Sequence, residues 1–362
     1  RSALKSNTAS NNTAIGFEAL FTNTSGIGVT AIGYKALRTS TGNANTAIGF
    51  EAAVSNTSGT QIVAIGWSSL YSNSTGQSNV ALGNSTLYNN VSGSNNVAIG
   101  HISLQNNTAS NNTAVGFESL RNNVSGSSNV AIGLQALNAN TASNNTAIGY
   151  QAGFSNTSGG VFAIGYRAAY NNTTGDAFGV GFEAAFANTT GTGNNFFGTQ
   201  SGRSTTTGSY NTAVGRLTLF SNTSGSSNTA VGNGVLYSST GSKNTAVGNN
   251  SMGSATGSEN TAIGADSLIG NTASFNTALG YRAGFNNTSG ASNTILGYQA
   301  DTGNFSGSVI LGKDAVATAS NQFVVGSATY NAGAIDTAAV SPTQRWKVKI
   351  NGVDYYIALQ PV

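Results

Sequence analysis

Asn12-Thr13-Ala14-Ile15-Gly16 decides the fold, because this five-residue cassette returns along almost the whole chain. Its glycine stands at Gly16, Gly33, Gly49, Gly66, Gly83, Gly100, Gly116 and Gly133, and then at 149, 165, 181, 198, 215, 232, 248, 264, 280, 297, 312 and 326. The interval is 16 or 17 residues, closing to 15 and then 14 at the end. A period this short and regular overrides the two or three domains that 362 residues would otherwise suggest.

One copy, residues 116 to 133, divides into three pieces. Asn129-Val130-Ala131-Ile132 alternates in side-chain direction with β-branched residues at every second place, which reads as a short strand. Asn123-Val124-Ser125-Gly126 is turn chemistry, with a glycine expected to take positive φ. Phe117-Glu118-Ser119-Leu120 between them reads as a second short strand or a bend. The unit is too short for a helical repeat of about 34 residues, so each repeat is one coil of an all-β parallel β-solenoid. Twenty coils at about 4.8 Å per step make a rod on the order of 95 Å long.

Within the strand, Thr13 or Val130 shares a face with Ile15 or Ile132, while Ala14 and Ala131 face the other way. The expectation is that Thr, Val and Ile fill the coil and that alanine allows another chain to approach. So small a coil buries little apolar area at roughly 25 cal/mol per Å², which favours three rods side by side, a homotrimer. After the glycine comes an aromatic column, Phe17, Tyr34, Phe50, Trp67, His101, Phe117, Tyr150 and Tyr166, read as a packing ladder with a glycan-binding face as the minority reading. The next column, Glu18, Lys35, Glu51, Glu118 and Glu183, reads as solvated, and a further aromatic column includes Phe21, Tyr71, Tyr88 and Phe154.

Charged residues are only 7% of the chain and the net charge is +3. That is too thin a basic balance for nucleic acid, which needs clustered Lys and Arg. Glycine-rich, weakly charged chains are often disordered, but the periodic apolar columns and only two prolines favour order. Without cysteine there is neither a disulfide framework nor a thiolate metal site. No apolar run approaches the roughly 20 residues of a membrane span.

The first residues align with the middle of a repeat, so the array over residues 1–326 is expected to be a fragment of a longer one. Residues 327–340 read as a linker. In 341–362, Trp346-Lys347-Val348-Lys349-Ile350 alternates, Asn351-Gly352 is a strong hairpin signal, and Tyr355-Tyr356-Ile357 returns. This segment is read as a C-terminal β-hairpin tip or cap, with Trp346, Lys347, Lys349, Tyr355 and Tyr356 as candidate tip residues.

Asn96-Val97-Ala98-Ile99-Gly100, Asn129 to Gly133 and the coil ending Phe323-Val324-Val325-Gly326 resemble the head repeats of trimeric autotransporter adhesins of the YadA type. Asn145 to Ala152 also looks like the arrays of bacteriophage tail fibres, and the ending Trp346 to Leu359 is similar to tails of structural proteins from cyanobacteria-infecting phages. The resemblance, over about residues 1–326, implies a left-handed β-roll in a homotrimeric rod used for attachment. This chain departs from the adhesin pattern by two or three extra residues per coil, and it lacks a heptad stalk and membrane-anchoring barrel strands.

No catalytic constellation emerges. His101 is the only histidine, so neither a metal site nor a nucleophilic triad assembles around it within one chain. The repeated glutamates lie in non-adjacent coils, against the carboxylate pairs of glycosidases about 5 to 9.5 Å apart. The expectation is therefore a non-enzyme with no cofactor: an extracellular fibre segment, most like a phage tail or virion fibre. Its expected partners are its own copies, a host-surface glycan or protein receptor, and other virion or filament components, with no nucleic acid and no membrane span. The alternatives are a bacterial surface adhesin or extracellular filament, an ice-binding solenoid suggested by the threonine column, and a polysaccharide-degrading spike.

Overall fold

The computed structural model describes residues 2–173, 176–327 and 329, and the backbones of 345–350 and 353–358. Twenty short strands, numbered in chain order from β1 (Thr13–Ile15) to β20 (Phe323–Val325), form one parallel sheet in which each strand pairs with the strand of the next coil. The register never slips: Thr13 faces Thr30, Ala14 faces Ala31 and Ile15 faces Ile32, and the same holds between β8 (Val130–Ile132) and β9 (Thr146–Ile148). Equivalent residues therefore stack in columns, as expected of a parallel β-solenoid. No helix occurs among the described residues.

The two faces of the strand are the reverse of the expectation. The alanine column is inside: Ala31, Ala47, Ala64, Ala81, Ala98, Ala114 and Ala131 are fully buried. The Thr or Val and Ile columns point outward, and Ile48, Ile65, Ile99 and Ile132 are exposed. Alternation says which residues share a face, not which face is the interior. The coil is narrow, so a methyl group is what fits beneath the strand.

The space alanine leaves is filled from the segment after the glycine, which is a turn and not a second strand. Glu118 (φ 55°) and Leu120 (φ 49°) both adopt left-handed backbone. That costs about 1–2 kcal/mol per non-glycine residue, and it rotates Leu120 into the core beside Ser119, both fully buried. Leu20, Leu37, Leu70, Leu87, Leu104 and Leu137 repeat the arrangement. The third left-handed place is the residue before the cassette asparagine, such as Ser128 at φ 58°.

The cassette glycine is required twice over. Gly100 has φ 123°, and a Cβ there would lie 2.6 Å from the carbonyl oxygen of Gly116 in the next coil. The turn glycine is required differently from expectation: Gly26 is not left-handed, but a Cβ on it would meet Asn23 Oδ1 and the Gly42 carbonyl at 2.7 Å.

Two asparagine ladders complete the interior. Asn129 accepts the backbone N–H of Asn145 at 2.9 Å and donates to the Ala142 carbonyl at 2.9 Å, while its own N–H donates to Asn112 Oδ1 at 3.0 Å. These bonds stack the cassette amides in a ladder. The turn asparagines form a second: Asn123 donates to Asn107, Asn140 to Asn123 and Asn156 to Asn140, at 2.9, 3.2 and 3.0 Å. A buried amide is costly unless bonded, and stacking supplies most of the partners from the adjacent coil, Asn90 Oδ1 being one exception. Where Thr205 replaces the turn asparagine, Asn188 Oδ1 and Thr205 Oγ1 are left without partners.

Arg345–Ile350 (β21) and Val353–Ala358 (β22) pair antiparallel, Trp346 opposite Ile357 and Lys347 opposite Tyr356. The linker at 327–340 falls, apart from Ser327 and Thr329, outside the described residues. So do Asn351-Gly352 and the side chains of the candidate tip residues.

Candidate interaction faces

Two outer faces of the rod carry chemistry. The first is the strand face, where two columns run its length: Thr, Val or Phe in one, with Asn195 the single exception, and Ile, Leu, Val or Phe in the other. In its middle Phe162, Phe178 and Phe197 form a further ring cluster, at 4.8 and 4.7 Å between centroids, which the cassette pattern did not reveal because phenylalanine replaces threonine or valine at 162 and 178 and isoleucine at 197. Toward the C-terminus six consecutive coils present Thr212, Thr229, Thr245, Thr261, Thr277 and Thr294 in register.

Past the glycine lies the second face. Phe17, Tyr34, Phe50 and Trp67 stack in sequence at 5.4, 4.8 and 4.8 Å. His101 meets Phe117 at 5.6 Å, and Tyr150, Tyr166 and Phe182 stack at 5.1 and 5.0 Å. The rings do pack, but against one another on the surface and not in the core. A parallel ladder contains Tyr71–Tyr88 and Phe154–Tyr170–Phe186. Arg167 ties the two together, its guanidinium 5.3 Å from both Tyr166 and Tyr170, a cation–π geometry.

The column between the ladders is half-buried and bonded, where open solvation was expected. Gln135 donates to Glu118 at 2.7 Å, Gln151 to Gln135 at 2.8 Å and Arg167 to Gln151 at 2.9 Å. Arg203 and Gln200 both bond Glu183, at 2.7 and 3.0 Å. Burial works against the Glu183 carboxylate, yet these hydrogen bonds and the nearby charge outweigh it and hold its pKa below the usual 4.5.

Neither a protein-family model nor a curated protein matches the chain. The faces must therefore be read from their own chemistry.

Among the described residues no three of His, Cys, Asp and Glu gather to hold a metal ion, and no helix is long and apolar enough to cross a membrane. Asp301 is a buried carboxylate, but it accepts the backbone N–H groups of Asn286, Thr302 and Gly303 at 2.7, 2.7 and 3.1 Å. It holds the shortened coil together. The cavity of about 70 Å³ beside it, lined by Arg282, Phe285 and Asn286, is small. In three of the chain's Asn-X-Ser/Thr sequons the asparagine, Asn23, Asn56 or Asn123, is a fully buried ladder residue, closed to glycosylation in the folded rod.

Proposed function

We propose that this chain is a structural rod of an extracellular fibre that mediates attachment to a host surface, most like a bacteriophage tail or virion fibre, and that it works without catalysis. The observation that carries the reading is the outward strand face. Large contiguous apolar surface marks an interaction site, and here it runs along nearly the whole solenoid while the interior is already satisfied. Three rods packing these faces together would cover the Ile column and supply the apolar burial each narrow coil lacks. The proposed homotrimer thus uses the Ile face, not the alanine face. Side-by-side chains also multiply weak receptor contacts into avidity.

The antiparallel pair within residues 341–362 supports a tip or cap at the C-terminal end, with a host glycan or protein as receptor and other virion components as further partners. A bacterial surface adhesin or extracellular filament would use the same features. Light scattering of the purified chain should give three times its 36.3 kDa mass; a monomer would end the trimer reading. Antibody labelling in electron microscopy should decorate a fibre of the particle that carries the chain, and label confined to the cell interior would end the attachment reading.

A second reading, an ice-binding solenoid, has one observation in its favour: the six threonines from Thr212 to Thr294 lie on the outer face, in register on a regular sheet. Thermal hysteresis of the purified chain tests it, and none should be seen if the face serves for packing.

A further inference from the structure

Inside a continuous ring stack both faces of every ring are covered, so a ligand reaches only the edges. The Phe17–Tyr34–Phe50–Trp67 ladder of the second face is interrupted after Trp67, however. The next coil places Asn84 in the column, and the rings resume with His101 on Phe117. Trp67 is 59% exposed, against 37–47% for the other Phe and Tyr rings of its column. Two coils separate Trp67 from His101, roughly 9.6 Å by strand spacing. That is about twice a stacking distance, the height of one inserted ring.

The surroundings of this gap are uncharged. Ser68, Ser85 and Ile102 stand in the next column, where most other coils carry a charged residue or Gln, and the Ser85 hydroxyl bonds Asn84 Oδ1 at 2.7 Å. The Asn84 Nδ2 group donates to no protein acceptor among the described residues. From residue 52 to residue 117 the sequence contains no Asp, Glu, Lys or Arg. Other breaks in the column differ: Leu134 fills the one between Phe117 and Tyr150, the one between Phe182 and Tyr281 runs over five coils from Thr199 to Ala265 and is far taller than one ring, and Lys313 covers Tyr298 at 5.6 Å.

We propose that Trp67, Asn84 and His101 form a binding step for one pyranose unit of a neutral hexose polysaccharide. The apolar face of the sugar stacks on the open indole, removing apolar surface from water. Its hydroxyls accept from Asn84 Nδ2 and bond the imidazole nitrogens of His101. The absence of cations disfavours acidic glycans. This deepens the attachment reading by naming the ligand class.

The test uses the full chain with cellohexaose, laminarihexaose and mannohexaose as neutral probes and hexagalacturonic acid as the anionic one. Calorimetry should show saturable binding of at least one neutral hexasaccharide, weakened at least tenfold by Trp67→Ala and several-fold by Asn84→Ala, with circular dichroism unchanged. In a Trp346→Phe background, the emission of Trp67 should shift on binding. No neutral binding, binding indifferent to Trp67→Ala, equal binding of the galacturonate, or a Trp67 shielded from acrylamide would each overturn the proposal. Cell adsorption separates the two readings. Adsorption by the wild type that survives Trp67→Ala sinks the sugar step and leaves attachment, whereas sugar binding at Trp67 in a rod that adsorbs to no cell does the reverse.

Discussion

The backbone N–H of Asn145 donates to the side-chain oxygen of Asn129 across 2.9 Å. One coil's side chain thus closes the next coil's backbone. Replacing Asn129 with alanine would leave that N–H buried without a partner, at about 1–3 kcal/mol, while the Ala142 carbonyl keeps the Asn140 amide at 2.8 Å. Asn129→Ala should lower the denaturation midpoint, and hydrogen exchange should quicken first at Asn145. Unchanged protection at that amide would refute the ladder.

Gly100→Ala meets both a left-handed backbone and the Gly116 carbonyl. It should cost several kcal/mol, placing it among the most damaging single changes. Gly270 has open space and no left-handed φ, so Gly270→Ala should be neutral or stabilise by up to about 1 kcal/mol. Thermal unfolding of the two variants checks the contrast.

Ala131→Leu and Ile132→Ser separate the two faces of the strand. Overpacking the interior at Ala131 should cost about 1–3 kcal/mol or more. Ile132→Ser, on the outer face, should leave circular dichroism intact and weaken self-association in light scattering. The opposite outcome would restore alanine as the interface.

Tyr210 holds left-handed backbone at φ 58° with its side chain exposed, at a place where other coils use Asn11, Asn111 and Asn144. Asparagine tolerates that conformation better than an aromatic residue. Tyr210→Asn should stabilise by up to about 1 kcal/mol, seen as a higher unfolding midpoint.

Glu183 gives the rod an acid-sensitive contact. Its pKa is lowered on folding, so its contribution to stability is complete above the unfolded value of 4.5 and fades as pH falls through the lower folded value. Glu183→Gln should flatten stability against pH in that range. A variant with the wild-type slope would show that other carboxylates set it.

Much of this architecture was legible in the cassette, because period and alternation survive in any stack. Coil number, register, the cassette amide ladder and both ring ladders follow from residues recurring at fixed intervals. Inside and outside did not, since Ala131 and Ile132 alternate equally well either way round. What decides between them is Leu120, whose left-handed backbone turns it inward, and φ leaves no mark on a leucine. The turn ladder was missed for a similar reason: Asn123-Val124-Ser125-Gly126 has the composition of a solvated loop, and only the stacking of copies makes its first amide an interior group. The gap at Asn84 was visible as a missing ring, but its neighbours on the surface were not.

The unbroken register of β1 to β20 also makes length a free variable. Every column is defined coil by coil, so removing or duplicating one whole unit of 16 or 17 residues leaves each remaining residue above its own kind. The rod would change only in reach, by about 4.8 Å per unit. Such a molecule is a ruler graduated in coils, on which recombination between near-identical repeats adjusts how far its end extends without redesigning any contact.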